Sequence, residues 1–222
     1  MSRYFSSVKN KRFAHPVILA SSLILLAFSA PPAAGEDAEQ LLFGGPRQGD
    51  KAPEFILKDL QGRKVDLNAF KKRKPVILVT GSYTCPVFRD RMRALQLLYE
   101  KYRDRAVFYV LYTVEAHPKG SPSPYASEEW IPQENIHDGV IFRKPKSYEE
   151  RVALAFRSQR DLHSSVPILV DGMDDAVWEE YGSAPNAAFL VGYDGTVVFR
   201  QDWFDPLGLE RAVLKVFQDE PF

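Results

Sequence analysis

Apolar and polar positions divide the chain into strand-like and helix-like stretches in a regular order. Val76 to Val79, bounded by Pro75 and Gly81, is an unbroken aliphatic run and predicts a strand buried on both faces. From Pro86 the period changes. Phe88, Met92, Leu95, Tyr99 and Tyr102 share one helical face, with Arg89, Arg93, Gln96, Glu100 and Arg103 opposite. Ala106 to Val114 is a second apolar, aromatic strand. Strand, helix and strand within about forty residues make a right-handed βαβ unit, so the two strands run parallel and end on one rim of the sheet. Upstream, Phe55 and Leu57, then Val65 and Leu67, alternate with polar neighbours across the turn Asp59–Gly62 and predict a small hairpin.

Downstream, residues 145–160 are helical in pattern, and Val166 to Val170 form a short strand. A short helix over 174–181 stops at Gly182. Residues 186–192 and 197–200 flank an Asp194-Gly195 turn and predict a second hairpin. Residues 206–217 form a closing amphipathic helix. Between the second long strand and the first of these, Pro118 to Gly139 is rich in Pro, Ser and Gly and holds Tyr125 and Trp130. A loop of that length at the end of a strand predicts a lid or a substrate wall.

The first 35 residues have a different pattern. Arg3, Lys9, Lys11 and Arg12 precede an apolar run from Val17 to Ala30, and Ala33 and Gly35 have the spacing of a cleavage site. This predicts a signal peptide over 1–35, with the mature chain starting between about Pro31 and Asp37, then a linker over 36–49 and one domain over 50–218. The protein is thus expected to be exported, to a periplasm or cell envelope or secreted. An uncleaved N-terminal membrane anchor is the alternative. Without the four basic residues of the signal, 25 lysines and arginines face 29 acids, a formal charge of −4. That balance, without a basic stripe, excludes nucleic acid as the expected partner. The four histidines are scattered, so no metal site is expected.

Cys85 is the only cysteine. It ends the loop after the first long strand, and Pro86 suits a first helical position. A helix N-terminus favours a thiolate, and Arg89 one turn on adds a cation, so a lowered pKa and a reactive thiol are expected. A small, buried, inert cysteine is the competing reading. Glu115 and His117 follow the second strand and reach the same rim. There His117 can act as general acid or substrate contact, and Glu115 can orient it or accept a proton.

Three stretches carry a family resemblance. Ala52-Pro-Glu-Phe55, Thr84-Cys85-Pro86 and Ala184-Pro185 before the second hairpin resemble the thioredoxin-like superfamily. The resemblance implies an α/β, thioredoxin-like fold: a central mixed sheet flanked by helices, with an N-terminal β-hairpin. It also implies a cis bond at Pro185, facing the cysteine. Within that superfamily, Gly81-Ser-Tyr-Thr-Cys-Pro-Val-Phe88 and Tyr112-Thr-Val-Glu-Ala-His117 resemble the iodothyronine deiodinase family. Cys85 stands where that family has its catalytic selenocysteine. Glu115 and His117 stand at a catalytic or substrate-binding acid and histidine. Tyr83 occupies a position where the family commonly has a cysteine.

The resemblance implies an exported oxidoreductase, deiodinase-like and thiol-dependent, with Cys85 as nucleophile in reductive dehalogenation or a related reduction. Its substrate is a small molecule, it needs no bound cofactor, and an external dithiol or thioredoxin-like reductant regenerates it. A homodimer is compatible with it. Two further readings stay open. One is a one-cysteine peroxiredoxin-like thiol peroxidase, with Thr84 and an arginine holding the peroxide. The other is a non-enzymatic thioredoxin-like binding module of the envelope. With Phe88 where a second cysteine would complete Cys-x-x-Cys, a disulfide exchanger is excluded.

Overall fold

The computed structural model describes residues 44–219. The expected signal segment, its cleavage site and the first part of the linker lie outside the described residues. Among the described residues, no helix is long and apolar enough to cross a membrane.

Seven strands form one sheet: β1 (Ile56–Asp59), β2 (Lys64–Asp66), β3 (Val76–Gly81), β4 (Val107–Tyr112), β5 (Ile168–Val170), β6 (Ala188–Val191) and β7 (Val197–Gln201). Their order across it is β2-β1-β5-β4-β3-β6-β7. The central trio β5, β4 and β3 is parallel, and β1, β2, β6 and β7 join antiparallel, so the sheet is mixed. The helices are α1 (Pro86–Tyr102), α2 (Gln133–His137), α3 (Tyr148–Asp161), α4 (Ala176–Tyr181) and α5 (Pro206–Asp219).

All six residues of β3 are buried, as its unbroken apolar run predicts. Successive strand side chains face opposite sides, so the sheet separates two cores. Ile77, Val79, Phe108, Val110 and Tyr112 pack with Phe88, Met92 and Leu95 of α1 and with Leu209 and Val213 of α5. Val76, Leu78 and Leu111 face the other way, against Phe55, Val177 and Tyr181.

The expected β1–β2 hairpin is present, and the turn at Asp194-Gly195 joins β6 to β7. Part of the stretch read as linker is tied to the domain. Gly49 N–H donates to Val197 O over 2.8 Å, and the Arg200 guanidinium donates to the carbonyls of Gly44 and Pro46.

Gly81 and Tyr112, the last residues of β3 and β4, are paired across the parallel ladder. The two chains therefore leave the sheet side by side. One leads into the Cys85 turn and the other into Glu115 and His117.

Candidate functional site

Cys85 is the N-cap of α1 and Pro86 its first helical residue. The Cys85 Sγ accepts from Phe88 N–H over 3.4 Å. The helix terminus thus forms as the Cys-Pro sequence predicts, but its effect on the thiol is outweighed. Cys85 is only 2% exposed, and burial pushes its pKa up to about 11. The amides of Phe88 and Val87 and the Arg89 guanidinium act in the expected direction, yet desolvation of the thiolate outweighs them. At neutral pH Cys85 is a thiol.

The turn before it is bonded at nearly every polar group. Tyr83 N–H donates to the Tyr112 hydroxyl over 3.1 Å, and Thr84 N–H to Glu115 Oε2 over 3.0 Å. The Thr84 hydroxyl donates to the same Oε2 over 2.7 Å and accepts from His117 N–H over 3.0 Å. Glu115 Oε1 accepts from the Tyr112 hydroxyl over 2.5 Å. Glu115 is fully enclosed, and desolvation pushes its carboxyl up despite these three donors. It does not orient the His117 ring. It fixes Thr84, and through the Thr84 hydroxyl it fixes the His117 backbone.

The His117 ring is placed from the other side. Its Nδ1 lies 3.1 Å from the Trp130 carbonyl, and the two rings meet edge to face at 4.4 Å. A carbonyl only accepts, so Nδ1 carries the proton and Nε2 is left with a lone pair. Burial holds the imidazole below its ordinary pKa, so it is neutral at pH 7.

Cys85 and His117 line one cleft of about 680 Å³, mostly apolar, with Tyr125, Trp130, Pro185 and Trp203 among its walls. That volume lies within the range of small-molecule sites. The long insertion supplies Pro124, Tyr125, Trp130 and Pro132, so it is a wall as expected. Pro185 also reaches the cleft, but not through a cis bond: there is no cis peptide among the described residues. Trans is the lower-energy isomer of an X–Pro bond.

Arg89 is not among the residues that line the cleft. It donates to Tyr83 O over 3.1 Å and to Asn135 Oδ1 over 2.8 Å, and pairs with Asp138 at 2.9 Å. Asn135 in turn donates to Thr84 O over 2.8 Å. Asn135, Tyr112 and Trp203 carry no site signal in the sequence. A lone Asn in a polar loop carries no signal, and Tyr112 reads as strand core. Among the described residues, no group of three or more His, Cys, Asp or Glu could hold a metal. A second cavity, about 720 Å³ between β7 and α5, holds none of the candidate residues.

Comparison with known proteins bears on both fold and family. The family model described as iodothyronine deiodinase matches residues 37–203. The chain is 26% identical over 153 residues to type I iodothyronine deiodinase of Xenopus laevis, covering 68% of this chain and 55% of that protein. It is 27% identical over 168 residues to thyroxine 5-deiodinase of Gallus gallus, covering 76% and 60%. With the Homo sapiens thyroxine 5-deiodinase it is 28% identical over 163 residues, covering 71% and 48%. The chain thus spans about half to three-fifths of these curated relatives.

Among solved structures, a thiol:disulfide interchange protein from Bacteroides sp. superposes with a TM-score of 0.55 at 19% identity, covering 79% of this chain and 93% of that one. A hypothetical protein from Sinorhizobium meliloti superposes at 0.58 and 15% identity, covering 80% and 88%. The fold is thioredoxin-like.

Proposed function

That this chain belongs to the iodothyronine deiodinase family is the premise from which we propose an exported, thiol-dependent oxidoreductase. Cys85 is the nucleophile in reductive dehalogenation or a related reduction of a small molecule. The observation that carries this reading is the meeting of Cys85 and His117 in one apolar cleft, from loops 32 positions apart in the chain.

The raised thiol pKa fits the balance of such a reaction. Reduction of a carbon–halogen bond by one thiol gives a carbon–hydrogen bond and a sulfur–halogen bond. Sulfur attacks the halogen, the carbon keeps the electron pair, and the proton that leaves sulfur ends on that carbon. A resting thiol therefore brings the proton the product needs. His117, neutral with its Nε2 unprotonated, receives that proton and passes it on. Glu115, Thr84 and Tyr112 hold the two loops in register and do not touch the substrate. An external thiol then restores Cys85. Export rests on the basic–apolar–small pattern of residues 1–35.

The peroxidase reading has less support. The Thr84 hydroxyl is committed to Glu115, and the Arg89 side chain is 7% exposed and paired with Asp138. The binding-module reading draws on one specific observation, the burial of Cys85. Two assays separate the three. With excess dithiol, wild type should release iodide from an iodinated phenol and Cys85→Ser should not. Rapid peroxide consumption without iodide supports the peroxidase. If wild type and Cys85→Ser behave alike in both assays, the protein is a binding module.

A further inference from the structure

We infer that the reductant of Cys85 is a low-molecular-weight thiol that enters the cleft, and not the surface dithiol of a folded thioredoxin-type protein. The inference rests on the proposal that Cys85 is oxidised during turnover.

Cys85 is the only cysteine of the whole chain, so no internal thiol can resolve its oxidised form. Both reducing equivalents must come from outside. Oxidised Cys85 carries a halide or hydroxyl on sulfur. One thiolate attacks Sγ, a sulfur–sulfur bond forms, and the halide or hydroxide leaves. A second thiolate attacks the other sulfur of that mixed disulfide. The bond to Cys85 breaks, Cys85 leaves as thiolate and regains a proton, and the two reductant sulfurs depart joined as a disulfide. Two thiols have supplied two electrons.

The first attack must reach Sγ itself. That atom belongs to a residue 2% exposed, in a cleft whose aromatic walls, Trp130 and Trp203, are 49% and 37% exposed. The reactive cysteine of a folded exchanger sits in its own partly exposed surface site, which limits its reach. A free monothiol or dithiol is far smaller than the cleft's 680 Å³ or so.

The wall is also fastened to the turn it shields. Asn135 is fully buried and donates to Thr84 O, and Arg89 holds both Asn135 and Tyr83 O. Ser123 Oγ donates to Ala116 O over 2.8 Å, and the His117 ring bonds the Trp130 carbonyl. Swinging the insertion aside for a docking protein would break these bonds and leave buried polar groups unpaired, which is unfavourable.

The test does not need dehalogenation. Wild type is treated with methyl methanethiosulfonate at about pH 9, which places a methylthio group on Cys85 with both sulfurs inside the cleft. Loss of the group is followed by intact mass, with dithiothreitol or glutathione on one side and a reduced thioredoxin on the other. The control carries the same group on an exposed cysteine, in the double variant Leu97→Cys and Cys85→Ser. At position 97 the thioredoxin should be the faster reductant; at Cys85 the order should invert, with dithiothreitol ahead by about tenfold or more. Trp130→Ala should narrow that gap. A thioredoxin as fast at Cys85 as at position 97 overturns the inference. So does a Cys85 that methyl methanethiosulfonate cannot label although it labels position 97. The iodide assay separately decides whether the oxidoreductase reading stands.

Discussion

Thr84 Oγ1 lies 2.7 Å from Glu115 Oε2, and the same Oε2 accepts the Thr84 amide at 3.0 Å. One carboxylate oxygen thus holds both the side chain and the backbone of the residue before Cys85. Because the Thr84 hydroxyl also accepts from His117 N–H, the pair joins the loop after β3 to the loop after β4. The relative placing of Cys85 and His117 depends on this buried contact.

Glu115→Gln keeps the shape but replaces one acceptor oxygen by an NH₂ group, facing donors on Thr84 or Tyr112. We expect a loss of about 1–3 kcal/mol in chemical denaturation. Turnover should fall as well, without a change in which substrates are accepted. A variant as stable as wild type would show that the network is not fully bonded in solution.

Native Cys85 should alkylate slowly with iodoacetamide at pH 7, on the order of 100-fold below an exposed thiol. The rate should keep rising with pH toward a midpoint at about 11, where the unfolded chain levels off near 9. The linked stability has a definite sign. The folded pKa lies above the unfolded one, so the thiol's contribution is complete below about pH 9 and is lost as pH rises through about 11. A native alkylation midpoint below 8 contradicts the burial of this residue.

His117→Ala should leave the midpoint of Cys85 alkylation in place but lower kcat by about 100-fold, the scale of a lost proton transfer. In wild type, kcat should fall toward acid with a midpoint below 6.5, because burial lowers the imidazole pKa and the neutral ring is the active form. That acid limb should be absent in the variant. If both proteins share it, the proton passes elsewhere.

Gly81→Ala places a methyl group against the ring of Phe88, itself 1% exposed in the core. The ring cannot retreat through close-packed neighbours, so we expect about 1–3 kcal/mol of destabilisation in thermal or urea unfolding. Gly62→Ala, in an open turn with positive φ, should cost less, about 1 kcal/mol.

Periodicity and chain order made the βαβ unit, the two hairpins and the shared rim readable before any coordinates. These are local rules: alternation buries one face of a strand, a Cys-Pro step starts a helix, and a parallel crossover brings the ends of β3 and β4 together. The pairing of Gly81 with Tyr112 agrees with that shared rim, and Cys85 and His117 line one cleft beyond it. What lay beyond those rules is environment. The helix terminus and Arg89 argued for a low thiol pKa, but desolvation is set by the packing around Cys85, and Tyr125 of the insertion packs against the core cluster that holds it. Glu115 looked like a partner for the His117 ring because the two are close in sequence; the folded chain gave its oxygens to Thr84 and Tyr112 and gave the ring to Trp130. Asn135 had no signature, since its role exists only where α2 meets the Cys85 turn. Which strands form and where their ends meet was a matter of sequence pattern. Which groups are dry, paired or left with a free lone pair was decided by long-range packing, because burial and hydrogen-bond partners come from residues that only the fold brings near.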